Sequence, residues 1–503
     1  MLQRITPEDQ RTLAEYESIA HLAPAVRELR SEAAGILPRL AGRTVWMVNS
    51  TAVGGGVAEM LPALVTLLRD LGVHAEWVVI GSEEPDFFDL TKRIHNLIHG
   101  SGAPLLGASD RQLFEEVNRK NAEELGRLVR PGDIIVVHDP QPLPLAGLLP
   151  ETVPLIKIWR CHIGLDAENA ATQAAWDFLG PYLAAYDHAV FSAPEYIPRR
   201  LAGKSTVIYP GIDPLAPKNR ELSLRGAVAV LCNSGLLVCP GPTVYPPYPD
   251  LAQRALANGS FAPANSISDI GLLTRPIITQ VSRWDRLKGF YPLLQAFAQL
   301  KQSVRDGLTA GDAVHGRRLG LVRLVLAGPD PESIQDDPEA QDVLEELLGA
   351  YRSFHPAIQE DIAIITLPMR LQEQNALMVN ALQRASSVVV QNSLREGFGL
   401  TIAEAMWKRI PVLSNSRACG PRAQVRDGID GRLIRDPTAV PEIQQALEDM
   451  LRDPERQEHW GRNAQRRVHE LFLVTSQLRS WGRLLAQMPA LMEFPKCSAP
   501  KDR

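Results

Sequence analysis

Leu13, Tyr16, Ile19 and Ala20 recur at three- and four-residue spacings, so a helical preface is predicted over 7–40. The pattern then changes period. Thr44–Val48 is apolar almost throughout and predicts a buried strand. Asn49–Gly56 is a polar, then glycine-rich, turn, and 57–71 returns to helical spacing. A second apolar run at 75–80 completes strand, turn, helix, strand. Such a βαβ unit favours a parallel sheet with ligands at the carboxyl ends of its strands. Further strands are predicted at 133–137, 155–159 and 188–191, and the alternation runs on to Val207–Gly211.

Residues 214–275 break this order. They are rich in proline and glycine, above all between Pro240 and Pro249, and predict a linker plus an irregular insertion at a domain boundary. A second series starts at Pro276. Its predicted strands are 276–281, 322–327, 362–366, 387–391 and 411–414, and its helices 290–303, 338–351, 372–384, 400–408 and 440–452. A last helix over about 472–488 is followed by a short polar tail from Pro495, and no repeat of fixed period is visible. The expected fold class is therefore α/β, with two doubly wound Rossmann-like domains facing across a cleft. The expected boundaries are 1–215, an irregular linker at 216–275, 276–470, and a C-terminal helix and tail at 471–503.

Composition narrows the function classes. With 503 residues, 45% apolar and 22% charged, the chain has the make-up of a folded protein with a large core. A net charge of −5 argues against a chain-wide grip on nucleic acid or an anionic membrane. No run approaches the roughly 18 apolar residues of a membrane span, and no apolar segment follows Arg4 as a secretory signal would require. The five cysteines are an odd number without a CxxC, so a cytoplasmic setting is expected and zinc-ribbon or dithiol chemistry is not.

Four motifs could carry chemistry. In the first, Gly54, Gly55 and Gly56 precede a helix, and backbone N–H groups beside a helix N-terminus suit a phosphate. The plain alternative is a tight turn that needs glycine. Neither GxGxxG nor GKS/T is present, which disfavours dehydrogenase and P-loop readings. In the second, Arg283 and Lys288 follow a strand directly, where two fixed cations can neutralise a diphosphate without a metal. A solvated charged loop is the alternative. In the third, Glu396-Gly397-Phe398-Gly399-Leu400 leads to Glu404. The glycine turn aims backbone N–H groups at a ligand, and the two carboxylates can accept from sugar hydroxyls. In the fourth, Trp159-Arg160-Cys161-His162 ends a strand, and His162 is either a contact for a reacting sugar or a packed core histidine. His138-Asp139-Pro140-Gln141 closes another strand and could hydrogen-bond a polyol. His95 and His99 stand four apart but lack the glutamate of HExxH, so no metal site is expected there. Arg417, Arg422, Arg426, Arg432 and Arg435 suggest a solvated face, and Cys161 a small buried neighbour. No GxSxG is present, against a serine hydrolase.

Together these motifs resemble the retaining glycosyltransferases of the GT-B fold, the large family that includes sucrose synthase. The donor-site signature is Arg283…Lys288 with Glu396…Glu404 around the Gly-Phe-Gly turn. The first half is more particular. Val48–Thr51 with Gly54–Glu59, Phe87-Phe88, Thr91-Lys92…His95-Asn96, His138–Pro142 and Trp159–His162 resemble the trehalose glycosyltransferring synthases and the retaining trehalose phosphorylases. The likeness covers about 10–215 and 276–490. The stretch 222–275 departs from it, longer than expected of the compact synthases.

The resemblance implies a hexosyltransferase with an N-terminal acceptor-binding domain and a C-terminal nucleotide-sugar-binding domain. It implies transfer of glucose from UDP- or ADP-glucose to glucose, with retention, giving α,α-trehalose. By the same resemblance Arg283 and Lys288 hold the diphosphate, with Gly54–Gly56 reaching it. Glu404 takes the ribose, Glu396 and the backbone of Gly397, Phe398, Gly399 and Leu400 take the glucose, and His162 lies beside the anomeric carbon. Glucose as acceptor sits near Lys92, His95, Asn96, Asp139 and Gln141. No cofactor is required, a divalent cation is at most stimulatory, no nucleic acid or membrane is engaged, and a homodimer stays open. A phosphorylase on the same scaffold, another small polyol acceptor, and a non-enzymatic sugar or nucleotide sensor are the rivals, the last disfavoured by the intact leaving-group residues.

Overall fold

The computed structural model describes residues 2–7, 11–52, 56–239, 241–308, 313–333 and 339–491. The chain forms two compact units, one of Met1–Asp213 with Leu471–Arg503 and one of Pro214–Glu470.

The first unit is built on a seven-stranded sheet. Its strands are β1 (Gln3–Ile5), β2 (Thr44–Asn49), β3 (His74–Val79), β4 (Ile134–His138), β5 (Ile156–Cys161), β6 (His188–Phe191) and β7 (Ser205–Val207), in the order β1-β3-β2-β4-β5-β6-β7. All pairs are parallel except β1 on β3. Ile134, Ile135, Val136 and Val137 are wholly buried, the unbroken apolar run that a parallel sheet covered on both faces requires. From β2 the chain goes to β3 on one side and later to β4 on the other. That reversal puts a crevice at the carboxyl ends of β2 and β4. The edge strand β1 was not expected, because three residues are too few to show a period.

The second unit holds an eight-stranded sheet of β8 (Gln253–Ala255), β9 (Phe261–Pro263), β10 (Ile277–Val281), β11 (Arg323–Pro329), β12 (Ile362–Leu367), β13 (Val388–Val390), β14 (Val412–Asn415) and β15 (Gly431–Ile434). The order is β15-β14-β13-β10-β11-β12-β8-β9. The switch point lies between β10 and β13, the strands that precede the second and third motifs.

Two boundaries need correction. Residues 216–275, expected as a linker, belong to the second unit. They carry a helix, Leu224–Asn233, and a hairpin, β8–β9, that pairs antiparallel with β12. Val230, Leu231, Leu236, Ala252, Ala264, Ile270 and Leu272 pack in one core with Ile277, Val325 and Ala327. Asn233 Nδ2 donates to the carbonyls of Tyr245 and Pro246 at 3.0 and 2.8 Å, which ties the proline-rich loop down. The helix Val474–Leu491, expected as a separate appendage, packs in the first unit against Ala23–Leu40 and Gly56–Asp70. Arg479 pairs with Glu28 at 2.7 Å and Arg483 with Glu32 at 2.9 Å. The arginine-rich stretch, expected as a solvated face, keeps Arg417, Arg422, Arg426 and Arg435 exposed; it contains the helix Cys419–Gln424 and β15, with Arg426 fastened to the buried Asp430 at 2.7 Å. Among the described residues no helix is long and apolar enough to cross a membrane.

Candidate active site

In the second unit, β10 ends at Val281 and runs into Ser282–Gly289, while β13 ends at Val390 and runs into Gln391–Gly399. These are the loops on either side of the switch point. Lys288 Nζ donates to Glu396 Oε2 at 2.8 Å. Gln391 Nε2 and Ser393 Oγ donate to the same oxygen at 3.0 Å each. Burial alone would raise the Glu396 carboxyl; the Lys288 charge and these three bonds outweigh it and hold the group below the usual carboxylate range. The side chains of Lys288 and Glu396 keep 18% and 14% of their exposure, so the pair is largely sheltered.

The backbone fixes this pair. Gln280 Nε2 donates to Lys288 O at 2.8 Å, Leu394 N–H to Leu287 O at 2.7 Å, and Asn392 Nδ2 to Gly289 O at 3.1 Å. Gly289 stands at φ +63°, and a Cβ there would meet Asn392 O at 2.2 Å. Only glycine lets the two loops approach this closely. Gly399, at φ +81°, caps the helix Leu400–Trp407, and Gln424 Nε2 takes up Phe398 O at 2.5 Å. Gly397, Phe398, Gly399 and Leu400 thus form the turn expected of them, although Phe398 is 6% exposed and contributes packing as well as backbone. Arg283 is exposed on the loop after β10.

Glu404 lies inside its helix at 5% exposure, with Lys218 Nζ 3.7 Å from Oε1. Lys408 Nζ donates to Gln383 Oε1 at 2.7 Å and to Glu404 O at 3.0 Å, and burial pulls Lys408 down to about 7.

In the first unit, β4 and β5 end side by side. His138 Nδ1 lies 3.1 Å from His162 Nε2, with the rings stacked at 5.4 Å. Asp139 adopts φ +64°, a conformation Asp tolerates better than most residues. That turn lets Asp139 Oδ1 accept from the His162 backbone N–H at 2.8 Å while Asp139 O accepts from Trp159 Nε1 at 2.9 Å. Between Trp159 and Cys161, Arg160 is wholly buried, donating to Phe191 O at 2.8 Å and Ser192 Oγ at 3.3 Å. Burial, assisted by Arg160, lowers His138 to about 3 and takes His162 well below the ordinary imidazole value. Burial also raises Asp139 to about 6, against the pull of the His162 N–H and Arg160. Both rings are therefore neutral at pH 7. Gln141 Oε1 is buried, and the Gln141 carbonyl accepts from Asn118 Nδ2 at 3.1 Å.

Of the other expected positions, Lys92 and Asn96 are exposed one turn apart on the helix Asp86–Ile98, and His95 is half-buried with its ring 4.8 Å from that of His99. This helix packs on Ala108–Gly126 and Ala170–Leu179. Gly54 and Gly55 lie outside the described residues, and Gly56 opens the helix Gly56–Asp70. Among the described residues no group of three or more His, Cys, Asp or Glu side chains could hold a metal ion.

Three contributors were not singled out from sequence: Gln391 and Ser393, which hold Glu396, and Lys218, which faces Glu404. For the first two the signal was a polar residue just beyond the carboxyl end of a buried strand. For Lys218 there was none.

Residues 47–198 match the family described as trehalose synthase, N-terminal domain, and residues 370–467 match glycosyl transferases group 1. A trehalose synthase of Rubrobacter xylanophilus is 34% identical over 97% of this chain and 99% of its own. This chain belongs to the trehalose synthase family. A trehalose synthase of Thermococcus litoralis is also 34% identical, over 87% of this chain and 89% of its own. A trehalose phosphorylase of Grifola frondosa is 24% identical over 93% of this chain but only 58% of its own. Among solved structures, a UDP-forming α,α-trehalose-phosphate synthase from Burkholderia vietnamiensis matches with a TM-score of 0.63 at 18% identity, covering 89% of this chain and 98% of that one. One from Burkholderia xenovorans in complex with glucose-6-phosphate matches with a TM-score of 0.60 at 17% identity, covering 89% and 100%. The fold of this trehalose synthase family member is GT-B, and it is a hexosyltransferase of trehalose-related glycosyl transfer.

Proposed function

We propose that the chain moves glucose from a nucleotide-glucose, UDP- or ADP-glucose, to free glucose with retention, forming α,α-trehalose. The observation that carries this reading is the Lys288–Glu396 pair at the switch point of the second sheet, at 2.8 Å, next to a glycine turn that opens a helix. A fixed cation and a helix N-terminus suit a diphosphate that departs with negative charge. Arg283 and Lys288 hold that diphosphate, with Gly54, Gly55 and Gly56 as further donors to it. Glu404 accepts from the ribose, and Glu396 with Gly397, Phe398, Gly399 and Leu400 holds the glucose. His162 contacts the transferred sugar. Lys92, His95, Asn96, Asp139 and Gln141 serve the acceptor. The UDP-forming relatives of the same fold support the donor class, and the trehalose synthase names support the acceptor.

No carboxylate stands out to serve as a nucleophile on the sugar. The reaction proceeds on one face through an oxocarbenium-like state, with the departing phosphate as base, so the protein supplies positioning and charge stabilisation. The two cations take the part a metal would otherwise play, and no cofactor is needed. The likeness to trehalose phosphorylases favours a second reading, in which inorganic phosphate replaces the nucleotide.

Product analysis with UDP-, ADP- and GDP-glucose against glucose and other polyols separates these readings. The expected result is trehalose with release of nucleoside diphosphate, persisting in EDTA. Trehalose cleavage that depends on inorganic phosphate and is indifferent to nucleotides would overturn the donor assignment. Complete loss in EDTA, reversed by a divalent ion, would overturn the metal-free reaction.

A further inference from the structure

His138 is 1% exposed, and its two ring nitrogens face different partners: Nδ1 faces His162 Nε2 at 3.1 Å, and Nε2 faces Met47 Sδ at 3.5 Å. A thioether sulfur can accept a hydrogen bond but has no proton to give. In a neutral ring only one nitrogen carries hydrogen. If Nε2 of His138 carries it, Nε2–H donates to Met47 Sδ and Nδ1 is left as an acceptor. His162 Nε2–H must then donate to His138 Nδ1. The opposite tautomer would set a buried lone pair of His138 Nε2 against the sulfur lone pairs, with both left unpaired, at a desolvation cost.

The charged and titratable groups around the pair favour neutrality. Arg160, just before Cys161 on β5, is wholly buried, and its fixed positive charge acts on both rings. Asp139 accepts from the backbone of His162 rather than from either ring. Cys161 is buried with its thiol pushed far up by burial, so it stays neutral. Burial and the Arg160 charge hold both rings neutral.

We propose that His138 is a positioning residue: by accepting the Nε2–H of His162 it fixes His162 as a hydrogen-bond acceptor, through Nδ1, toward a hydroxyl of the transferred sugar. This rests on the reading of His162 as a sugar contact. Met47 on β2, His138 on β4 and His162 just past β5 then form one relay across three adjacent strand ends, and the relay sets which role His162 can play. A histidine held this way accepts from a sugar O–H but does not donate to a leaving oxygen, which accords with a reaction in which the departing phosphate handles the proton.

The test is the ¹⁵N spectrum of histidine-labelled full-length protein, with steady-state kinetics beside it. The expected wild-type spectrum has His162 protonated at Nε2 and unprotonated at Nδ1. In His138→Leu the tautomer of His162 becomes mixed and kcat falls about tenfold or more, the scale on which loss of a histidine's orienting partner acts. His138→Asn, whose side-chain oxygen can stand where Nδ1 stood, restores both the single tautomer and most of kcat. A wild-type His162 protonated at Nδ1 overturns the proposal, even if His138→Leu fails to fold. So does an unchanged tautomer in His138→Leu. If the tautomer responds as expected but His162→Ala turns over normally, the relay stands and the placing of His162 at the sugar fails.

Discussion

Glu396 shows how much of the site depends on single side chains. Lys288, Gln391 and Ser393 all donate to one oxygen of its carboxylate, so the group stays ionised although it is sheltered. Lys288→Met would leave that carboxylate without its cation, at a cost of about 3 kcal/mol, the low end for breaking a sheltered ion pair because both partners keep some water. The pH dependence has a definite sign. A carboxyl held below its ordinary value in the folded state stabilises the fold above that ordinary range, and this contribution is lost as pH falls through the lowered value. The gap in melting temperature between wild type and Lys288→Met should therefore be widest near neutrality and close on the acid side. A constant gap would show that the lysine acts by packing. Arg283 is exposed, so Arg283→Ala should keep the melting temperature yet lower turnover about 100-fold, the typical effect of removing one donor to developing charge. Turnover within twofold of wild type would reduce Arg283 to a surface residue. Arg283, Lys288, Glu396 and Glu404 were legible because their motif sits after apolar runs that read as strands. Gln391 and Ser393 were not, since nothing in a sequence says which polar neighbour of a glutamate turns toward it.

Among the elements, the loops after β10 and β13 work as a unit, and Gly289 joins them. At φ +63° with Asn392 O in the way, Gly289→Ala combines backbone strain of about 1–2 kcal/mol with a clash against main chain that has nowhere to move. Gly307 has nearly the same φ, +69°, with nothing within 4 Å of a Cβ. Gly307→Ala should therefore cost only the strain, while Gly289→Ala costs clearly more and also weakens donor binding. Thermal melts and donor titration of the two variants check this; equal losses would mean that the close approach at Gly289 is unimportant. The parallel strands of both sheets were legible from their buried apolar runs, such as Ile134–Val137. The hairpin β8–β9 was not, because two three-residue strands, one of them ending in Pro263, show no alternation. Its place on the sheet is decided by the pairing of Gln253 and Arg254 with Thr366 and Ile365, more than 100 residues away. Arg254 adds to this by donating to Ser268 O at 2.8 Å and Ile362 O at 3.3 Å.

On the scale of the whole molecule, each unit carries candidate residues at its own topological switch point: His138, Asp139 and Gln141 at the end of β4 in one, and the Arg283–Lys288 and Gln391–Gly399 loops after β10 and β13 in the other. That the chain is α/β with two doubly wound halves followed from periodicity. The return of Val474–Leu491 to the first unit did not, because an amphipathic stripe names no partner. Its ion pairs, Arg479 with Glu28 and Arg483 with Glu32, join residues 451 positions apart. The proposed activity is retaining transfer of glucose from a nucleotide-glucose to glucose. The most direct measurement uses nucleotide-glucose labelled with ¹³C at the anomeric carbon, unlabelled glucose as acceptor, and NMR of the product. The account predicts the label in an α-configured anomeric carbon of α,α-trehalose, with nucleoside diphosphate released in equal amount. Label in a β-linked disaccharide, or only in free glucose, would contradict it.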